Sequence, residues 1–174
     1  MTNFTLDAES LYTELRAKLA AFLADRNQAT LALVGITSGG AWLAERLHRD
    51  LGIATPLGIV SSALHRDDYA TKGVASSSQT KLPFEVEGRD IVLIDDVLHT
   101  GRTIRAVINE LFDFGRPARI SLAVLVDRGA REIPIAADVM AASTTLPRDQ
   151  VLALYKDADT SGAERFYFLL ERVK

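Results

Sequence analysis

Cysteine is absent from the 174 residues, which excludes disulfide staples and thiolate metal sites together. Histidine is scarce as well: His48, His65 and His99 stand far apart and form no cluster with metal-ligand spacing. No apolar run approaches the roughly 20 residues that span a bilayer. Met1-Thr2-Asn3-Phe4 lacks the basic start and apolar stretch of a signal peptide, so a cytoplasmic location and no membrane partner are expected. There is no internal repeat, low-complexity tract or linker, and residues 1–174 read as one domain. A net charge of −3 argues against a wholesale nucleic-acid binder, while leaving room for a local basic face. What remains is an ordinary soluble composition, 48% hydrophobic and 25% charged, with enough chain to bury a core.

The apolar pattern alternates between two periods. Asp7 can cap a helix from about Ala8 to Ala24, with Leu11, Leu15, Leu19, Phe22 and Leu23 on one face. Leu31–Ile36 is a short strand ending at Thr37-Ser38-Gly39-Gly40, followed by a helix from about Ala41 to Leu51 that Gly52 stops. Pro56–Leu64 reads as a strand. Residues 65–81 lack core periodicity and read as a lid over a site. Ile91–Asp95 is a strand, Ile104–Phe114 a helix stopped by Gly115 and Pro117, Arg119–Asp127 a long apolar strand, and Ala137–Ala141 a short one. Val151–Lys156 and Arg165–Glu171 form an antiparallel hairpin expected to add to the sheet. Strands alternating with helices predict an α/β fold with a doubly wound, mainly parallel sheet.

The chemistry concentrates in Ile91-Val-Leu-Ile-Asp-Asp-Val-Leu-His-Thr-Gly-Arg-Thr103. The apolar run ends in Asp95 and Asp96, which places two carboxylates at the carboxyl end of a buried strand, the edge where open α/β sheets bind ligands. Adjacent acids point to opposite sides of the backbone, so they suit a diol better than one shared metal. The turn behind them offers backbone N–H groups at a helix N-terminus, two hydroxyls (Thr100 and Thr103), and Gly101 for a tight path. A ribose 5-phosphate fits, hydroxyls to the acids and phosphate to the turn. Spacing alone equally allows an Asp pair that caps a helix and a turn that is only a turn.

The whole segment, Asp-Asp-Val-x-x-Thr-Gly-x-Thr after an apolar run, resembles the phosphoribosyl-diphosphate motif of type I phosphoribosyltransferases; no Walker loop is present. Val124–Asp138, with Asp-Arg-Gly-Ala-Arg-Glu-Ile-Pro-Ile, is similar to the region after the fourth strand in the PyrR family of pyrimidine operon regulators and uracil phosphoribosyltransferases. Arg66-Asp67-Asp68, Leu82-Pro83-Phe84 and Gly115-Arg116-Pro117-Ala118 also look like that family, so the likeness spans roughly 30–140. It implies that Asp95 and Asp96 hold ribose hydroxyls, and that Val97, Leu98, His99, Thr100, Gly101, Arg102 and Thr103 form the 5-phosphate loop. It also implies that Thr37, Ser38, Gly39 and Gly40 hold pyrophosphate, a loop that in this superfamily often contains a strained peptide bond. Many relatives carry arginine there and this chain has none, which leaves backbone N–H groups, Ser38, Mg²⁺ and lid residues for the task. His99 stands where Tyr or Phe is common and is expected to pack the loop, not to catalyse.

The implied reaction joins uracil to phosphoribosyl diphosphate, giving UMP and pyrophosphate. Arg66 is the candidate pyrophosphate clamp. Mg²⁺ is the implied cofactor, held mainly through substrate with no protein ligand directly assigned. Asp67 and Asp68 read as an exposed turn pair before metal ligands. Backbone groups near Asp127–Arg128 and Val139–Met140 are candidate base readers, with Arg128 and Arg131 left open between that role and solvated loop charges. Trp42 reads as core before stacking platform. A rival reading is a UMP-sensing attenuator that binds pyrimidine-operon mRNA. Residues 99–131 carry six arginines against three acids, yet no arginine-rich or aromatic RNA motif. A purine or orotate transferase is a third reading, opposed by 124–138. The resemblance also implies a homo-oligomer, a dimer or larger.

Overall fold

The structure is a computed structural model that describes residues 6–61, 79–158 and 162–172. Asp7 starts α1 (Ala8–Leu23), its carboxylate accepting the Glu9 N–H at 3.2 Å. β1 (Leu31–Ile36) is buried at every position and leads into α2 (Gly39–Leu51), which ends at Gly52 in the left-handed region with φ 63°. That glycine has no Cβ to oppose the turn. β2 (Gly58–Val60), β3 (Asp90–Leu98), α3 (Arg102–Phe114), β4 (Arg119–Asp127) and β5 (Val139–Ser143) follow. Of the strand expected over Pro56–Leu64, only Gly58–Val60 pairs, and its last three residues lie outside the described residues, as does most of 65–81 including Arg66, Asp67 and Asp68.

The five strands form one parallel sheet in the order β2-β1-β3-β4-β5. Period-two alternation divides its side chains into two cores. Leu31, Leu33, Val92, Ile94, Ala123 and Leu125 face α1 and α2. Val34, Ile36, Ile91, Leu93, Leu122 and Val124 face α3 and its neighbours Val86 and Leu98. A sheet covered on both faces explains why its strands read as near-continuous apolar runs.

Two expectations need correction. β3 runs three residues past Asp95, pairing Val97 with Val126 and Leu98 with Asp127, so the acids sit within the strand and not at its tip. They still emerge at the edge, because β1 ends at Ile36 and α2 begins beside them. The hairpin β6 (Gln150–Ala158) with β7 (Glu164–Arg172) is a separate two-stranded sheet, not an extension of the large one. Its apolar face, Leu152, Leu154 and Phe166, joins the core under α1 and α2. Burying Phe166 alone is worth about 1.5–3 kcal/mol, which favours the helix surface over a strand edge. The edge strand β5 is itself tied to α1, Lys18 Nζ donating to the Met140 carbonyl at 3.1 Å.

Candidate active site

Asp95 and Asp96 lie where the N-terminus of α2 meets β3, and both approach that helix closely. A Cβ added to Gly40 would stand 2.8 Å from Asp95 Cα and closer still to the Ile94 carbonyl oxygen. A Cβ added to Gly39 would stand 2.7 Å from Asp96 Cγ. The glycine pair therefore lets the 37–40 loop rest directly on the acids, and a side chain at 39 would crowd Asp96. That is the structural counterpart of the missing arginine. The Thr37–Ser38 peptide is cis.

Asp95 is buried, 6% exposed, and accepts the Asp96 N–H at 3.0 Å. The Val97 N–H donates to Asp96 Oδ1 at 2.9 Å, which fixes that carboxylate at the mouth of the cleft. Gly101, at φ 89°, turns the chain from β3 into α3. Arg102 N–H is taken by Thr100 Oγ1 at 3.3 Å and Arg105 N–H by the Gly101 carbonyl at 3.0 Å. The Thr103 and Ile104 N–H groups remain as first-turn donors among the described residues, the arrangement that receives a phosphate.

These pieces line one cleft of about 480 Å³, together with Ser38, Gly39, Val97, Leu98, His99, Trp42 and Arg128. Thr37 and Gly40 sit behind this lining. Its far wall is the hairpin: Val151 to Tyr155 of β6, and Glu171 of β7. Sequence reasoning missed this wall, since nothing local in β6 tells which element it will face. Trp42 is half-buried against the core and lines the cleft as well.

Val139 and Met140 do not line the cleft. β5 is the edge strand, two positions from β3, and the Val139 side chain is buried in the core. Asp127 also lies outside the lining and is held by Arg131 Nη2 at 2.5 Å. Burial alone would raise the Asp127 carboxyl, but the Arg131 and Gly129 hydrogen bonds outweigh it and hold the group below its ordinary range. Arg131 is a strut, not a solvated charge. It donates to the carbonyls of His99 at 2.6 Å, Ile135 at 2.8 Å and Gly129 at 3.3 Å. Glu132 N–H adds a bond to the Thr100 carbonyl at 3.0 Å, so the loop after β4 holds the 99–103 turn from below.

Arg128 is unlike the other arginines. It is 5% exposed, and its Nε is buried with no hydrogen-bond partner. Burial lowers its pKa. Burial and then the Arg128 charge lower the His99 pKa, with Glu132 opposing, so His99 is neutral near pH 7. A buried cation lacking acceptors is costly in the free protein and ready to receive an oxygen from a ligand. Among the described residues no group of three or more His, Asp or Glu gathers to hold a metal, and no helix is long and apolar enough to cross a membrane.

Residues 7–150 match the phosphoribosyl transferase domain family, a match that ends where β6 begins. The chain is 53% identical to a bifunctional protein PyrR of Ralstonia nicotianae over 98% of both chains. It is 44% identical to one of Nitrosococcus oceani over 84% of this chain and 85% of that protein. In fold it is similar to a hypoxanthine-guanine phosphoribosyltransferase from Bacillus anthracis (TM-score 0.66, 15% identity, 85% of each chain). It is likewise similar to a hypoxanthine phosphoribosyltransferase from Staphylococcus aureus (TM-score 0.64, 21% identity, 86% of this chain and 80% of that one).

Proposed function

The chain belongs to the phosphoribosyltransferase family and, within it, to the PyrR proteins, and on that premise we propose that it converts uracil and phosphoribosyl diphosphate to UMP and pyrophosphate. Pentosyl transfer itself is the activity of the family. One observation carries the finer reading: Asp95 and Asp96, the donor-bearing turn at 99–103 and the Ser38-Gly39 loop converge on a single cleft.

In that cleft the ribose hydroxyls meet the acids, the 5-phosphate meets the first turn of α3, and the base lies between Arg128 and the hairpin wall. The N1 of uracil forms a bond to C1 while the C1–oxygen bond to pyrophosphate breaks, the electron pair leaving with pyrophosphate and the N1 proton passing to the departing pyrophosphate or to solvent. Positive charge grows on the ribose ring, where the Asp95 and Asp96 carboxylates oppose it. Holding the two reactants in line is the larger part of the task. Arg128 offers its unsatisfied guanidinium to a base carbonyl. Arg66 remains the candidate clamp on the leaving group. The donor set fits Mg²⁺ held mainly through substrate: hard carboxylate oxygens are present at Asp96, without a cage of protein ligands among the described residues. When bound, the ion would neutralise charge on the departing pyrophosphate.

The test is to incubate the protein with phosphoribosyl diphosphate, Mg²⁺ and each of uracil, hypoxanthine and orotate. UMP alone is expected; no UMP above background overturns the catalytic reading.

A regulatory reading stands beside it, because the relatives are named bifunctional. Arg102, Arg105, Arg116 and Arg119 are exposed, whereas Arg128 and Arg131 are not, so the basic face has four arginines in place of six. A homodimer would double that face and give a −3 chain a route to pyrimidine-operon mRNA. Filter binding of leader RNA with and without UMP tests this: binding equal to that of a scrambled RNA removes it.

A further inference from the structure

The hairpin that walls the cleft is held in place from the opposite side, by a half-buried polar clasp between α1, α2 and β7. Glu9 Oε1 accepts from Arg46 Nη1 at 2.9 Å and from the Phe166 backbone N–H at 2.7 Å. Arg46 lies over the Tyr12 ring at 4.2 Å and the Phe166 ring at 5.2 Å, while the two rings tilt against each other at 5.9 Å. Tyr12 donates its hydroxyl to Asp50 at 2.6 Å. Burial and that bond push the Tyr12 hydroxyl well up, so it remains a donor. None of these residues lines the cleft.

β7 is one edge of a two-stranded sheet, and its outward N–H groups need acceptors where they are covered. The Glu9 carboxylate supplies one at Phe166, the third residue of the strand. On the other side of the same sheet, β6 presents five consecutive residues, Val151 to Tyr155, to the cleft. The hairpin is not hydrogen-bonded to the large sheet, so its distance from the phosphate turn depends on how it docks on the helices. The phosphate turn depends on β3, α3 and the Arg131 strut instead. The two halves of the cleft thus have separate supports.

We propose that Glu9 is a positioning residue: by clasping Arg46 and the Phe166 N–H it sets where the hairpin wall stands, and with it the affinity of the cleft for the base half of its ligand. This rests on the reading that the base lies against that wall. Releasing the clasp lets the wall shift without disturbing the phosphate site, and a displacement of about 1 Å at a binding wall costs on the order of tenfold or more.

The experiment titrates UMP and, separately, ribose 5-phosphate into the full chain and into Glu9→Ala and Glu9→Gln, with melting curves for each. Glu9→Ala is expected to weaken UMP about tenfold and ribose 5-phosphate less than about twofold, with the KM for uracil rising and that for phosphoribosyl diphosphate unchanged. Glu9→Gln keeps a carbonyl oxygen for the Phe166 N–H and loses only the ion pair, so it should fall between wild type and alanine. It carries the same comparison if Glu9→Ala does not fold. Equal loss of both ligands, in step with a lowered Tm, would mean the clasp is merely structural and overturns the proposal. Unchanged UMP binding overturns it too. If the wild-type chain binds UMP no more tightly than ribose 5-phosphate, the placement of the base has failed, and that result is visible before any variant is compared.

Discussion

Alanine at position 39 and alanine at position 40 are the same chemical change one residue apart, and the structure assigns them different consequences. At Gly40 the new Cβ would meet backbone, the Ile94 carbonyl oxygen and Asp95 Cα at 2.8 Å. Backbone inside a paired strand has no room to yield, and such overpacking costs about 1–3 kcal/mol. For a chain of this size that is a fall in Tm of about 2–4 °C per kcal/mol. At Gly39 the three atoms nearest the new Cβ all belong to the Asp96 side chain, among them Cγ at 2.7 Å and Cβ at 2.9 Å. Swinging the carboxylate outward relieves Cγ but not Cβ, so folding suffers less than at Gly40 without being spared, and the hydrogen bond proposed for Asp96 to a ribose hydroxyl would go with it. A hydrogen bond to a charged group is worth about 1.5–3 kcal/mol, or about 10- to 150-fold in Kd. Calorimetric titration with phosphoribosyl diphosphate and a thermal melt on each variant separate the two. Gly40→Ala should give the larger fall in Tm; Gly39→Ala should lower affinity with a smaller fall in Tm. Wild-type affinity in Gly39→Ala would refute the argument, because Asp96 would then not be holding the sugar. Gly39→Arg, which installs the arginine common in related loops, should be as impaired as alanine or worse.

Arg128→Met should stabilise the free protein by on the order of 1 kcal/mol, since a buried guanidinium whose Nε has no partner is replaced by apolar volume, while UMP binding weakens; a destabilised variant with intact binding would assign the arginine to the core instead. Asp127 titrates below its ordinary value in the folded chain, so its pairing with Arg131 contributes stability that is complete above about pH 4 and is lost as pH falls through the depressed pKa. Melting curves of wild type and Asp127→Asn should therefore differ near neutrality and converge in acid, and a constant gap at every pH would refute the assignment. His99 is depressed below 6.5 by burial and by Arg128, so the unfolded chain takes up its proton first as pH drops. Stability should decline as pH is lowered through 6.5 and below, and an NMR titration should place the His99 midpoint under that value; a midpoint above it would mean the Arg128 charge is not where the structure puts it.

What the sequence could tell about this molecule follows how local each signal is. β1, β4 and α3 are near where their apolar periods end, because caps and glycine stops act within a turn of the residues that carry them. The acid pair and the 99–103 turn are contiguous in the chain, so their meeting in one cleft was legible as well. Val139 and Met140 were misplaced, since a strand's position in the sheet order is not written in its own residues. Arg131 is equally opaque from sequence. Its three carbonyl acceptors lie on two different loops, and a short polar run gives no sign that it will be drawn inward. The hairpin shows both outcomes at once, its strands evident from alternation and its docking surface decided by helices more than a hundred residues earlier.

That last distance bears on the order in which the molecule takes shape. The bond between Glu9 and the Phe166 N–H joins positions 157 residues apart, so its loop-closure entropy is met only after most of the chain is ordered. During synthesis the large sheet and its phosphate turn can assemble while the hairpin residues are still being added. Competence to hold the proposed nucleotide is then expected to arrive in two stages, sugar-phosphate first and base second, with the second waiting on the hairpin.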